Sequence, residues 1–316
     1  MEVFMIKRDV WGRRSNMSVH EVELSLDGYR YFARQIDCEK GEQEPILFLS
    51  GAFQNMDAWD KFVRYFKDKC AMVLIDLPGV GKSDLLPEEY GLDYLVRGVV
   101  QLLDHLRIDR VKILSASYGT PIAYEFAKKR TNRVSRLILA GIMKEIPPDS
   151  RDNVIRTVEH LQHGRTEMFA DEVINGLMNT DPSIEINRRK LVIKLFRSQL
   201  LQLTPDLVEK YIANTRRLLN HPPLRIDNSP DVPALIFTGE HDPFTKPEYC
   251  REIADSFRNS AFTTIRQADH IFHLEQFDTV IQLCDRFFFK NALDGLPGCN
   301  SMEYRGILGD GGGSFD

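Results

Sequence analysis

The sequence predicts an α/β fold, a mostly parallel sheet with helices on both faces. Three features carry this. Short uninterrupted apolar runs recur at 46–49, 71–77, 111–114, 134–140, 233–237 and 261–265, the length and character of strands buried on both faces. Segments of helical spacing alternate with them, which favours parallel crossover connections. The runs end in small or polar residues such as Ser50-Gly51, Pro78-Gly79, Gly141 and Thr238-Gly239, so the loops at the carboxyl ends of the strands are where a functional site belongs.

In chain order, residues 18–26 alternate as a strand, Asp27-Gly28 offers a hairpin turn, and 29–36 return as a second strand, giving an antiparallel edge. A polar turn at 39–44 leads through Pro45 into the 46–49 strand. A helix follows with Trp59, Phe62, Val63 and Phe66 on one face, then the 71–77 strand, then an amphipathic helix over 90–106. The 111–114 strand breaks at Ser115-Ala116-Ser117-Tyr118-Gly119, and helical spacing resumes at Pro121, a residue suited to a first helical turn. From 143 to 230 strand patterns vanish and helical ones dominate, as in the stretches holding Leu191, Leu195 and Leu201 and holding Leu207, Tyr211 and Leu218. The expected organisation is a core over 1–142, a helical cap inserted at 143–230, a second core part over 231–293 ending in a helix with Val280, Ile281, Phe287 and Phe288, and a disordered glycine-rich tail over 294–316. The apolar faces of the cap helices pack on one another or roof a pocket.

Composition narrows the function classes. A chain of 316 residues with 43% hydrophobic and 28% charged residues can bury a large core as an ordinary soluble protein. A formal net charge of −5 gives no general attraction to nucleic acid or anionic membrane. The local basic run Arg188-Arg189-Lys190 reads as a solvated helix face. The five cysteines, Cys38, Cys70, Cys250, Cys284 and Cys299, are scattered and odd in number, which points to a reducing, cytoplasmic setting without disulfides or a cysteine metal site. Lys7, Arg8 and Asp9 interrupt the apolar piece at 3–6, so neither a secretion signal nor a stable membrane insertion is expected. The segment Gly81-Lys82-Ser83 resembles part of a phosphate-binding loop, but Asp76 stands where the first glycine of that motif belongs, and nucleotide binding is rejected.

Ser117 sits on the sharp strand-to-helix turn. Such a turn forces positive φ, lifts the hydroxyl clear of the sheet and requires small side chains two positions to either side, here Ser115 and Gly119. Two later strand ends carry Asp242 and His270. Serine is a weak nucleophile without a base, and imidazole needs an acceptor to fix its tautomer, so Ser117, Asp242 and His270 form a complete set in the order nucleophile, acid, histidine. Glu240 competes with Asp242 for the acid role, and His273 and His241 compete with His270, which directly follows its strand. A metal held by Asp242, His270 and His273 lacks a fitting further ligand and is set aside.

At these residues the sequence resembles the α/β-hydrolase family over roughly residues 20–290, with Asp76-Leu77-Pro78-Gly79-Val80-Gly81-Lys82-Ser83 matching the family's loop after its fourth strand. The resemblance implies the α/β-hydrolase fold and favours Asp242 over Glu240. It also implies an oxyanion hole made by the main-chain N–H of Tyr118 and one from Ala52 or Phe53; Ala52 is taken as the donor, and Phe53 with Phe244 as substrate contacts. A serine at the elbow separates the chain from relatives that use aspartate there. Ser50-Gly51-Ala52, the Ser115–Gly119 elbow and Asp242-Pro243-Phe244-Thr245 resemble a narrower bacterial branch that handles 3-hydroxyacyl thioesters, including the synthase of the rhamnolipid fatty-acid dimer and the 3-hydroxyacyl carrier-protein:CoA transacylase. Departures from the family pattern stand at Ser115, Ser50 and Asp269. The implied activity is a cofactor-free serine acyl-enzyme acting on a fatty acyl or 3-hydroxyacyl ester or thioester, a small-molecule substrate free or carried on CoA or acyl carrier protein, with release by water or by an acceptor hydroxyl or thiol. The alternatives are hydrolysis of a carbon–carbon bond with the same triad, and a noncatalytic ligand-binding protein.

Overall fold

The computed structural model describes residues 18–38, 44–290 and 292–309. The apolar piece at 3–6 lies outside them, as does most of the polar turn at 39–44. Strands β1 (Val19–Leu26) and β2 (Tyr29–Ile36) form the expected hairpin, and its turn residues Asp27 and Gly28 both take positive φ, as a tight two-residue connection requires. Among the described residues the sheet has nine strands, in the order β1-β2-β4-β3-β5-β6-β7-β8-β9. Strands β3 (Ile46–Leu49), β4 (Met72–Asp76), β5 (Val111–Ala116), β6 (Val134–Ala140), β7 (Ala234–Gly239) and β8 (Ser260–Ile265) pair in parallel. Strand β2 joins β4 antiparallel, and β9 (Glu303–Arg305) joins β8 antiparallel.

The chain runs outward from β3 to β4 and then returns to place β5 on the other side of β3. This reversal opens a crevice at the carboxyl ends of β3 and β5, where the loops of Ala52 and Ser117 meet.

Helices α1 (Asp60–Phe66), α2 (Leu92–His105) and α3 (Gly119–Lys129) follow β3, β4 and β5. Helices α4 (Pro148–Gln162), α5 (Thr166–Leu177), α6 (Arg189–Leu201) and α7 (Pro205–Asn220) lie between β6 and β7, within the stretch assigned to the cap. They share an apolar cluster of Phe169, Ile174, Val192, Phe196 and Leu200, so much of their apolar surface is spent on one another. Helices α8 (Pro247–Ser256), α9 (Phe272–Glu275) and α10 (Phe277–Asp285) complete the core. One face of the sheet packs on α2, α3 and α8 through residues such as Leu102, Phe126 and Ile253; the other packs on α1 and α10 through Phe62, Phe66 and Ile281.

The expectation of a disordered tail from residue 294 does not hold for its described part. Leu296 and Cys299 are buried, Met302 and Tyr304 pack on the same cluster as α10, and β9 covers the edge of β8. The apolar residues spaced between the glycines supply enough burial to order the segment. Residues 310–316 lie outside the described ones. Among the described residues no helix is long and apolar enough to cross a membrane.

Candidate active site

Ser117 directly follows β5 with φ +45°, the strained turn that its position requires. Gly119 is obligatory in this packing, because a Cβ there would stand 2.5 Å from the Leu49 carbonyl oxygen. Ser115 replaces the usual glycine without an orphaned hydroxyl: its Oγ donates to the Ile138 carbonyl at 2.7 Å. The Ser117 N–H donates to the Ala140 carbonyl at 2.9 Å, and the Thr120 hydroxyl donates to the Ser117 carbonyl at 2.7 Å. The elbow is thus pinned by its main chain while its side chain stays half-buried and accessible.

His270, on the loop after β8, places Nε2 3.0 Å from Ser117 Oγ and Nδ1 2.8 Å from Asp242 Oδ2. Asp242 is almost fully buried in the loop after β7 and saturated with donors. It accepts from the Thr238 hydroxyl at 2.5 Å, the Thr245 hydroxyl at 2.6 Å, and the N–H groups of Phe244 and Thr245 at 2.8 and 2.9 Å. Burial alone would raise its pKa, but the charge and hydrogen bond of His270 and the threonine hydroxyls outweigh it, and the carboxyl lies below its ordinary range. Burial alone would likewise lower the His270 pKa, yet Asp242 and then Asp269 lift it above the ordinary imidazole value. An ionised Asp242 fixes the proton on Nδ1, leaving the Nε2 lone pair for the Ser117 hydroxyl.

The rival residues are engaged elsewhere. Glu240 faces His241 at 2.8 Å and receives Asn300 at 3.1 Å. His273 Nε2 stands 3.2 Å from Gln54 Nε2. Burial pushes the His273 pKa down to about 4, which keeps its ring neutral and able to accept from the Gln54 amide. Gln54 in turn accepts the Gly51 N–H at 3.0 Å, so His273 braces the loop that holds Ala52. Among the described residues, the main-chain N–H groups of Ala52 and Tyr118 have no acceptor. Phe53 has φ +63° and its ring stacks on Tyr211, with centroids 4.6 Å apart, and meets Phe169 and Phe196 edge-on. It therefore fastens the loop after β3 to the cap. Phe244 lines the cavity beside Ser117 and sets its ring edge-on to His270.

The cavity has a volume of about 70 Å³, and Ser117, Tyr118, Met143, Leu218 and Phe244 are among its walls. Three α7 side chains one helical turn apart seal its surroundings to the loop after β4. The Lys210 ammonium donates to the Gly81 carbonyl at 3.0 Å, the Asn214 amide to the Gly79 carbonyl at 2.8 Å, and Arg217 to the carbonyls of Leu86, Pro87 and Tyr90. Two carbonyl oxygens of the glycine loop thus face donors, the Lys210 ammonium and the Asn214 amide, the opposite polarity to a phosphate cradle. Asp76 holds it from inside, accepting from Met56 and Lys82 N–H at 2.7 and 3.2 Å.

Beside His270, Asp269 accepts the N–H of Asn179, between α5 and α6, at 3.0 Å and that of Ile271 at 2.9 Å. Its own N–H donates to Glu275 at 2.8 Å. Burial, reinforced by the neighbouring Asp269 charge, pushes Glu275 up to about 9.

The sequence profile described as the alpha/beta hydrolase fold matches residues 44–277. The chain belongs to the α/β-hydrolase family. This α/β hydrolase is 24% identical over 241 residues to (E)-2-((N-methylformamido)methylene)succinate hydrolase of Acinetobacter baylyi, covering 75% of this chain and 87% of that one. Among solved structures it is similar to an α/β hydrolase from a Medee basin deep-sea metagenome library, with a TM-score of 0.72 and 22% identity, covering 86% of this chain and 99% of that one. It is also similar to the enol-lactonase of Burkholderia xenovorans, with a TM-score of 0.71 and 20% identity, covering 84% and 99%. The protein is an enzyme of the serine hydrolase class.

Proposed function

We propose that Ser117 is the nucleophile of an acyl-enzyme cycle on an ester or thioester. The observation that carries this reading is the continuous path from Asp242 through His270 to a half-buried serine at positive φ, with separations of 2.8 and 3.0 Å. His270 Nε2 takes the hydroxyl proton as Ser117 Oγ adds to the substrate carbonyl. The carbonyl oxygen becomes an anion received by the N–H groups of Ala52 and Tyr118, and the leaving alcohol or thiol departs with the proton from His270. Water then enters, gives its proton to His270 and releases the acid from Ser117; a hydroxyl or thiol acceptor in the same place gives acyl transfer.

The acyl group in this proposal is a fatty acyl, including 3-hydroxyacyl, carried as a small ester, on CoA or on acyl carrier protein. Apolar walls at Met143, Ile146, Leu218, Leu224 and Phe244 support it, as does the motif resemblance at Ser50–Ala52 and the elbow. The cavity of about 70 Å³ lies beside Ser117, where the reacting end of the acyl group would sit. The similarity to an enol-lactonase adds a cyclic ester to the candidates and favours water as the final acceptor.

The test is intact-protein mass spectrometry after incubation with a panel of plain and 3-hydroxyacyl thioesters, aryl esters and a lactone. The expected result is an acyl increment on Ser117 with at least one thioester, absent in Ser117→Ala. Undiminished turnover in Ser117→Ala would sink the acyl-enzyme reading; adducts from esters or the lactone alone would sink the thioester assignment.

A further inference from the structure

Arg217 lies in the interior with 2% of its surface exposed. Its guanidinium finds acceptors on every side, and none is a carboxylate. Nε donates to the Tyr90 carbonyl at 2.5 Å, and one terminal nitrogen donates to the Leu86 and Pro87 carbonyls at 2.8 and 2.9 Å. The other donates to the Tyr118 hydroxyl at 3.2 Å and to Asn214 Oδ1. Among the described residues Arg217 joins no ion pair; Glu88, the residue after Pro87, pairs with Arg216 at 3.1 Å instead. Burying a charge without a counter-charge is costly, and an apolar side chain of similar volume often fills such a place with no loss of stability.

Position gives the charge a use. Tyr118 follows Ser117 in the chain and is among the residues lining the cavity, and its hydroxyl donates to Asn214 Oδ1 at 3.0 Å while receiving Arg217. The cation therefore sits one side chain away from the residue whose N–H, in the acyl-Ser117 reading, meets the oxygen that becomes negative.

We propose that Arg217 is a positioning residue for acyl transfer. Reaching in from α7, it fixes Tyr118 so that the Tyr118 N–H holds its aim, and it lends an uncompensated positive charge to the oxyanion side of the site. Fixed charges and dipoles of this kind act strongly where water is excluded and need no rearrangement as the reaction proceeds. Every partner of Arg217 except Asn214 lies in the core, so the oxyanion side is complete only while α7 is seated. The proposal rests on the acyl-Ser117 reading.

The experiment compares the full-length wild type with Tyr118→Phe, Arg217→Lys and Arg217→Gln. It measures kcat and KM on a soluble p-nitrophenyl ester, affinity for phenylboronic acid, and thermal unfolding. The boronic acid mimics the anionic intermediate: Ser117 Oγ bonds to boron, the hydroxyl proton passes to His270, and boron carries the negative charge. Arg217→Gln is expected to lower kcat and boronate affinity about tenfold with KM within about twofold, and Arg217→Lys to recover part of both. Tyr118→Phe is expected to lower the same two quantities about threefold or more, with a modest fall in unfolding temperature because Arg217 and Asn214 each lose a hydrogen bond. Values within twofold of wild type in Tyr118→Phe and in any folded Arg217 variant, with only the unfolding temperature changed, overturn the proposal. Should Arg217→Gln fail to fold, Tyr118→Phe decides. A wild type that neither binds the boronate nor cleaves the ester overturns the underlying acyl-Ser117 reading, whereas a reactive wild type with unaffected variants overturns the role of Arg217 alone.

Discussion

His270 Nδ1 lies 2.8 Å from Asp242 Oδ2, and the carboxylate lifts the pKa of a ring that burial alone would depress. Acylation needs the neutral ring, so kcat/KM is expected to fall as pH drops, with a midpoint above the ordinary histidine value of 6.5. Asp242→Asn removes the larger of the two charges that raise the pKa. The midpoint then moves down and kcat falls by roughly four orders of magnitude. A pH–rate profile of both proteins checks this; an unmoved midpoint contradicts it.

Glu275 makes stability depend on pH in the opposite sense from most carboxylates. Its folded pKa of about 9 exceeds the ordinary value of 4.5, so the folded state binds the proton more tightly. The resulting stability is complete below about pH 4.5 and is lost progressively as pH rises toward 9. Urea unfolding at several pH values across that window is expected to show a smaller decline for Glu275→Gln, which can still accept the Asp269 N–H but does not titrate.

Gly119→Ala sets a methyl against the Leu49 carbonyl oxygen at 2.5 Å, a main-chain atom that cannot swing aside. The expected cost is about 1–3 kcal/mol of stability, together with displacement of the elbow. Denaturant unfolding gives the first quantity, and the labelling rate of Ser117 with a phosphonate reports the second.

Gln54→Leu removes the link between the Gly51 N–H and His273 without touching Ser117, Asp242 or His270. The loop carrying Ala52 then loses its brace. A fall in kcat of about tenfold with little change in KM is expected from steady-state kinetics on a soluble ester. A change in KM alone contradicts the bracing role.

Much of this was legible in the chain because the relevant constraints are local. Buried parallel strands leave continuous apolar runs, and a strand-to-helix elbow needs small neighbours, so Ser117, Asp242 and His270 could be placed at strand ends before any coordinates. The threonines that saturate Asp242 lie within four residues of it, yet Thr238 and Thr245 look like any strand-end polar residues. Gln54, Asn214 and Arg217 act across 219, 96 and 99 residues of sequence respectively, to His273, Tyr118 and Tyr118, and no periodicity records such pairings. The contacts of Phe53 are equally non-local: Phe169, Phe196 and Tyr211 meet its ring from helices more than a hundred residues further along the chain. Strand β9 leaves no mark in the sequence because three residues are too few to show alternation, and the glycines around them mask the burial of Leu296 and Cys299.

That short strand has a bearing on how molecules meet in a crowded solution. Unpaired strand edges are templates for a neighbour's backbone, and a long parallel sheet offers two of them. Here the outer rim beyond β8 is Glu303-Tyr304-Arg305, whose acid and base are drawn back onto α8 by Arg251 at 2.9 Å and Asp255 at 2.8 Å. Gly306, at φ +65°, turns the chain away at once. A rim of three residues with charged ends offers almost no length for another molecule to add to, so the segment expected to be disordered works against aggregation along that side of the sheet.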